Sequence, residues 1–182
     1  NLDINGDSGS GAYLYDNELK QWVLAGTAHG ISTQNGEQIT LITKYNQSLV
    51  DSLKSAHTHN VETGDNSITT LKTDGSHVVI TGKNGTTESQ YQSDNSTDLL
   101  FQKGGTINLE NNIDLVYGGL IFDEGHKYTI NGKDSTFKGA GIDIGKNSTV
   151  DWNIKYASND DLHKIGEGTL NVLEYIKCTF TN

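Results

Sequence analysis

The chain has 182 residues, of which 33% are hydrophobic, and its 13 basic and 23 acidic residues give a formal net charge of −10. This length allows one domain or a small unit plus a second body, and the negative charge disfavours nucleic acid because phosphates would be repelled. No apolar run approaches the roughly 20 residues that cross a bilayer, so stable membrane insertion of this segment is not expected.

The first motif is the stretch Asn5-Gly6-Asp7-Ser8-Gly9, in which a serine lies between glycines and follows an aspartate. This pattern is typical of the nucleophile loop of a serine protease. Gly6 lets the backbone N–H groups of residues 6 and 8 point at one spot, where they could bind the oxyanion of a tetrahedral intermediate. The motif therefore predicts Ser8 as the nucleophile, with Gly6 and Ser8 as the oxyanion hole.

The same stretch also fits two other kinds of loop. In a chain with 21 glycines, Gly-Asp-Ser-Gly can be an ordinary turn, and this alternative stays open. Asp3, Asn5 and Asp7 alternate like the first ligands of an EF-hand calcium loop. That interpretation fails because Ser8 stands where the sharp turn needs glycine and Leu14 stands where the bidentate acid belongs.

The residues after the motif predict a β-hairpin. Ala12 to Tyr15 alternates as a strand does, Asp16 to Gln21 predicts a turn, and Trp22 to Ile31 predicts a returning strand. The stretches 6–11 (GDSGSG), 22–30 (WVLAGTAHG) and 162–172 (LHKIGEGTLNV) together resemble the passenger domains of serine protease autotransporters of Enterobacteriaceae. The resemblance covers roughly residues 1–172.

This resemblance implies an all-β fold, with the remnant of a chymotrypsin-like β-barrel followed by a right-handed parallel β-helix. It implies a secreted serine endopeptidase that acts on a protein or peptide substrate by acyl transfer through Ser8, with no cofactor and no metal. The resemblance also implies that the protein is secreted through the periplasm and the outer membrane to the cell surface or the medium. The chain, which lacks Met and a signal peptide, is expected to start partway into a longer protein or to be a processed piece. Its upstream part would supply the catalytic His and Asp, so the chain alone is expected to be inactive.

His29 resembles a catalytic histidine because it lies in the sequence Thr27-Ala28-His29-Gly30. In chymotrypsin-like enzymes the triad order is His, Asp, Ser, so the general base would precede Ser8. His29 is therefore predicted to line the substrate cleft. In the family the cleft residues would be Leu2 and the strand residues Thr27, Ala28, His29, Gly30 and Ile31.

The next segment predicts a strand over residues 38–43 and a short helix capped by Asn46. The apolar face of this helix would comprise Leu49, Val50, Leu53 and Ala56. Four potential metal ligands follow, namely His57, His59, Glu62 and Asp65. No predicted helix or strand places these four side chains on one face, as a metal site would need, so a polar loop is the favoured interpretation.

From residue 76 onward, alternating apolar pairs recur with a step close to 21 residues. One series comprises Val78/Ile80, Leu99/Phe101, Leu120/Phe122 and Ile142/Ile144, with Leu162 as a fifth member. A second series comprises Ile107/Leu109, Tyr128/Ile130, Val150/Trp152 and Leu170/Val172. This period predicts a β-solenoid of five coils, because each coil would stack its apolar residues on those of the previous coil. An antiparallel sandwich of short strands is the less favoured alternative.

The predicted organisation comprises residues 1–45 of the protease domain, a connector at 46–75, solenoid coils at 76–172 and an unmatched tail at 173–182. An open solenoid end can recruit another chain, so self-association is expected. The single cysteine, Cys178, rules out an internal disulfide. A second functional hypothesis is a non-catalytic β-solenoid, either an adhesin or a carbohydrate-binding module, because exposed Asn, Asp, Tyr and Trp side chains suit sugar binding.

Overall fold

The computed structural model describes residues 8–75, 77–84, 87–94, 96–157 and 162–172. The chain divides into two compact units, Asn1–Ala56 and His57–Asn182. The first contains β1 (Gly11–Asp16), β2 (Gln21–Gln34), β3 (Glu37–Lys44) and α1 (Gln47–Ala56). The second contains β4 (Thr58–Glu62), β5 (Ile68–Asp74), β6 (His77–Asn84), β7 (Thr87–Asp94), β8 (Asp98–Gln102), β9 (Gly105–Leu109), β10 (Ile113–Asp114), β11 (Leu120–Phe122), β12 (Lys127–Lys138), β13 (Ile142–Ile144), β14 (Thr149–Tyr156), β15 (Lys164–Ile165) and β16 (Thr169–Val172).

The first unit is an antiparallel sheet with the strand order β1-β2-β3, followed by α1. Both strands of the predicted hairpin are confirmed, as is the strand expected at residues 38–43. The link between β2 and β3 is a tight turn at Asn35 and Gly36, which have φ values of 52° and 79°. Asn-Gly suits this turn because both central residues adopt the left-handed region. β2 consequently extends further than the sequence analysis indicated.

The predicted helix is confirmed as α1, and its N-terminus is capped as expected. Leu49 N–H donates to Asn46 Oδ1 at 2.8 Å, and Val50 N–H donates to the Asn46 carbonyl at 3.1 Å. The Asn46 side chain therefore satisfies one of the backbone donors that a helix leaves unpaired at its first turn.

The second unit is a parallel β-solenoid. Its chain alternates between two sheets, one with the order β15-β13-β11-β8-β4 and one that contains β16-β14-β12-β9-β5. The pairs within these two runs are all parallel. Parallel pairing in both sheets rules out the antiparallel sandwich, because a sandwich joins its strands by hairpins and Greek-key connections.

Three central members of the first apolar series stack as predicted. Leu120 lies between Leu99 and Ile142, and Phe122 lies between Phe101 and Ile144. The Phe101 and Phe122 rings stack with centroids 5.4 Å apart and an interplanar angle of 19°. Phe122 is completely buried, so the expected coil register is confirmed at this position.

The prediction for the first member of that series, Val78/Ile80, is wrong. His59 and Val61 of β4 occupy the positions that Val78 and Ile80 were expected to take beneath β8. Val78 and Ile80 lie instead on β6, which pairs antiparallel with β5 and extends the larger sheet toward β7. Both side chains are buried, so their inward orientation was predicted correctly. Parallel pairing begins at Thr58 rather than at residue 76.

The predicted register of the second series is wrong by two residues between β9 and β12. Tyr128 stacks on Gly105 and Ile130 on Ile107, whereas the sequence analysis aligned Tyr128 with Ile107. The Tyr128 hydroxyl donates to the Phe101 carbonyl at 3.0 Å. Gly105 has a φ of 113°, and a Cβ atom there would collide with Ser67 Oγ and the Gly64 carbonyl, so this position of the ladder requires glycine. The later members of this series pair as predicted.

Two further expectations differ from the structure. The prediction that Leu162 is the fifth member of the first series is wrong, because Lys164 pairs with Ile142. Leu162 is half-buried and packs against the core. The prediction of a polar loop around His57 and His59 is also wrong, because residues 58–62 form β4. The described residues contain no group of three or more His, Cys, Asp or Glu that could hold a metal ion. Residues 173–182 lie outside the described residues.

Candidate active site

The loop that carries Ser8 is tied to the middle of β2 by two backbone hydrogen bonds. Gly9 N–H donates to the Ala28 carbonyl at 2.8 Å, and Ala28 N–H donates to the Ser10 carbonyl at 2.9 Å. Gly9 has a φ of 92°, which favours glycine because an L side chain rarely adopts that conformation. Ser8 is exposed and directly precedes this tie. Its hydroxyl group therefore lies at the surface beside a fixed point of β2.

His29 is the extra residue of a β-bulge immediately after that fixed point. Ala28 pairs with Ile42 and Gly30 pairs with Leu41, which leaves His29 without a pairing position on β3. Ala28 is buried, whereas His29 is exposed. Bulges of this kind redirect a side chain at the edge of a site. The structure thus brings exposed Ser8 and exposed His29 to segments that meet at Ala28.

The other strand residues predicted for the cleft flank this bulge. Thr27, Gly30 and Ile31 are all half-buried. The Tyr45 hydroxyl donates to Thr27 Oγ1 at 3.4 Å, and Tyr45 N–H donates to the Ala25 carbonyl at 2.7 Å. These contacts hold the end of β3 beside the predicted cleft strand. Leu2 and Gly6, the remaining predicted site residues, lie outside the described residues.

Gly26 is a structural requirement of the site that the sequence analysis did not identify. A Cβ atom at Gly26 would collide with the Thr43 carbonyl oxygen of β3. At Gly30, by contrast, the nearest atom to such a Cβ would be Leu41 Cδ1 at 3.9 Å, an ordinary contact. A glycine inside a strand pattern often marks a close approach of two backbones, and this was the available signal.

The chain is similar to serine protease autotransporters over most of its own length. A family model described as Immunoglobulin A1 protease matches residues 1–48. The serine protease sat autotransporter of Escherichia coli O6:H1 is 53% identical over 173 residues, which are 94% of this chain and 13% of that protein. The serine protease pet autotransporter of Escherichia coli O44:H18 is 48% identical over 177 residues, 96% of this chain and 13% of that protein. The chain thus spans about 13% of the length of these curated relatives.

Two solved structures resemble this one. The passenger domain of Plasmid encoded toxin from enteroaggregative Escherichia coli has a TM-score of 0.65 and 47% identity, covering 96% of this chain and 17% of that one. The Haemophilus influenzae Hap adhesin has a TM-score of 0.67 and 26% identity, covering 91% of this chain and 20% of that one. The resemblance to autotransporter passenger domains is confirmed. The all-β fold class with a parallel β-solenoid is confirmed as well.

Proposed function

We propose that this chain is the nucleophile-bearing segment of a secreted serine endopeptidase. The observation that supports this most directly is the pair of hydrogen bonds that ties Gly9 and Ser10 to Ala28. They hold an exposed serine, flanked by glycine, beside the strand expected to bind substrate. Relatives that align over the same residues are named serine proteases, which supports the same assignment.

In the proposed reaction, Ser8 Oγ attacks the carbonyl carbon of a peptide bond and its proton passes to a general base. The backbone N–H groups of Gly6 and Ser8 stabilise the oxyanion. The base then protonates the leaving amine as the C–N bond breaks, and water hydrolyses the acyl-enzyme to release the second product. The general base and its aspartate partner come from a part of the parent protein upstream of this chain.

His29 lines the substrate cleft in this proposal, together with Leu2, Thr27, Ala28, Gly30 and Ile31. Its exposed position in the β2 bulge supports contact with substrate. The triad order supports a general base that precedes Ser8. In the parent protein, His29→Ala is expected to retain a measurable acylation rate, whereas Ser8→Ala abolishes it. Equal loss in both variants would overturn the assignment of His29.

The parent protein is proposed to act outside the cell or at its surface, after transport through the periplasm and outer membrane. Its substrate is a protein or peptide, and the solenoid serves to carry the protease domain. Among the described residues, no helix combines the length and apolar character needed to span a membrane.

Labelling with a fluorophosphonate probe tests the nucleophile directly. The parent protein should gain one probe mass on the peptide that contains Ser8, and the Ser8→Ala parent should gain none. The 182-residue chain alone should stay unlabelled, because a serine hydroxyl is protonated at neutral pH and needs a positioned base. Stoichiometric labelling of this chain would contradict the proposed inactivity and would assign the base to a local group.

A non-catalytic adhesin is the second candidate function. It is favoured by the likeness to the Hap structure, which is described as an adhesin. The two candidates give different results in the labelling experiment. An adhesin whose Gly-Asp-Ser-Gly stretch is only a turn would leave Ser8 of the parent protein unlabelled, while the parent would still bind a surface.

A further inference from the structure

A short segment of β12 leaves the parallel ladder of the solenoid. Asn131 pairs with Asn153 and Thr136 pairs with Lys155, so residues 132–135 stand opposite Ile154 alone. We call residues 132–135 the arch. Within it, Lys133 has a φ of 47°, and Asp134 forms an ion pair with Lys155. The arch is thus an insertion held in one place by the neighbouring strand.

A row of side-chain amides lies beside the arch. Asn108, Asn131 and Asn153 occupy one register position on β9, β12 and β14. Asn131 Nδ2 donates to Asn108 Oδ1 at 3.5 Å, and Asn153 Nδ2 donates to Asn131 Oδ1 at 3.1 Å. All three residues are half-buried on strands whose alternate residues point into the core. The amide row therefore belongs to the outer face of the larger sheet.

The arch and two amides of this row form an open groove, which we call the arch groove. Its lining includes Asn108, Leu109, Glu110 and Asn131 together with the arch. Ser135 Oγ donates to the Leu109 carbonyl at 3.4 Å and joins the arch to β9. Glu110 and Lys133 are exposed, so a carboxylate and an ammonium group are available with the amides.

We propose that the arch groove binds a neutral carbohydrate chain. Each amide offers both donors and acceptors, the carboxylate offers acceptors and the ammonium group offers donors. Sugar hydroxyl groups donate and accept, so they complement all three kinds of group. Leu109 is the apolar side chain of the lining and it is buried, so hydrogen bonds must supply most of the recognition.

The position of the groove in the sheet disfavours a peptide. A peptide that binds a sheet usually adds a strand to a free edge through backbone hydrogen bonds. β9 lies between β5 and β12, and β12 lies between β9 and β14, so neither strand is an edge. A ligand here is recognised by side chains, which suits a sugar better than an extended polypeptide.

Charge and spacing favour a neutral polymer. The lining holds two acids, Glu110 and Asp134, against one base, Lys133, and the chain as a whole carries −10, so the groove does not favour a phosphate or sulfate group. Neighbouring strands lie about 4.8 Å apart, so Asn108 and Asn131 repeat the same polar group along the solenoid axis. A chain of sugar units, whose hydroxyl groups recur along its length, can contact Asn108 and Asn131 at the same time.

The test is a titration of the ¹⁵N-labelled 182-residue chain with cellotetraose, chitotetraose and maltotetraose. At least one of them should shift the backbone amide signals of residues 108–110 and 131–135. Glu110→Ala, which changes an exposed side chain, should weaken binding about tenfold. The matched control Glu124→Ala changes an exposed acid outside the lining and should bind as tightly as the unsubstituted chain.

Several results would overturn the proposal. One is the absence of shifts at 108–110 and 131–135 with all three tetrasaccharides at millimolar concentration. Another is equal weakening in Glu110→Ala and Glu124→Ala, which would indicate a non-specific contact. Shifts of the same residues with heparin or with an unrelated peptide, but with none of the three sugars, would assign the groove to a different ligand class.

Discussion

The antiparallel sheet of β1–β3 and the solenoid of β4–β16 use similar strand-forming residues but bury them differently. In the sheet, the side chains of Tyr13 and Trp22 are 59% and 68% exposed, and Ala28 is the buried apolar residue among those described. In the solenoid, Phe101 and Phe122 are completely buried. An alternating pattern is sufficient to make a strand. Burial requires a second layer on which the apolar face can pack.

Because of this difference, we expect the solenoid to determine the stability of the chain, whereas the antiparallel sheet carries the candidate active site. Apolar burial contributes about 25 cal/mol per Å², so the solenoid is expected to supply most of the free energy of unfolding. The candidate active site depends on a few backbone hydrogen bonds in a thinly packed sheet. Substitutions in the two units should therefore give effects of different size and extent.

The largest effect is expected from Phe122→Asp. This substitution places an unpaired carboxylate between Phe101 and Ile144, and it should lower the free energy of unfolding by more than about 4 kcal/mol. Urea denaturation followed by circular dichroism measures the change. The control Tyr117→Asp alters a side chain that is 81% exposed and should change stability by less than about 0.5 kcal/mol. Similar losses in both variants would contradict the central role of the stack.

The next effect is expected from Gly26→Ala in the antiparallel sheet. The added methyl group would collide with the Thr43 carbonyl, which should cost about 2 kcal/mol and separate β2 from β3. Hydrogen exchange should show lost protection in β3 while the solenoid amides stay protected. The control Gly30→Ala adds a methyl group in ordinary contact distance and should leave β3 protected. Lost protection throughout the chain would show that the two units unfold together.

A smaller effect is expected from Asn46→Ala, which removes the side-chain acceptor for Leu49 N–H. Loss of an N-cap of this kind costs about 1 kcal/mol of helix stability. Amide exchange within α1 should accelerate, and Asn46→Ser should restore much of the protection because serine also caps helices. Unchanged exchange in Asn46→Ala would show that the cap does not limit opening of the helix.

The smallest effect is expected for the stabilisation by Asp151, which should depend on pH. A hydrogen bond from Asn171, and then one from Lys127, lowers the pKa of the Asp151 carboxyl below its ordinary value of 3.8. Because the folded-state pKa is lowered, the stabilisation is present above 3.8 and is lost as pH falls through the lowered pKa. The difference in Tm between the unsubstituted chain and Asp151→Asn should therefore be largest near neutral pH and vanish in strong acid. A difference that stays constant from neutral pH to strong acid would contradict this.

The candidate site was predictable only in part. The Gly-Asp-Ser-Gly pattern and the following hairpin identified Ser8 and the strand from Thr27 to Ile31. The role of Ser8 and the cleft residues remains a prediction. The tie between Gly9 and Ala28 and the bulge at His29 were not predictable, because both depend on how two distant backbone segments align.

The sequence by itself determined which side chains of most apolar pairs face inward, because a strand repeats every two residues wherever it pairs, but it did not reveal β4. That is why Val78 and Ile80 are buried although their coil position was wrong. Only the tertiary structure decided which strands stack, because a shift of two residues preserves the alternation and leaves the pattern unchanged. Tyr128 pairs with Gly105 rather than with Ile107, and in this register Gly105 packs closely against Gly64 and Ser67 while the Tyr128 hydroxyl group reaches the Phe101 carbonyl.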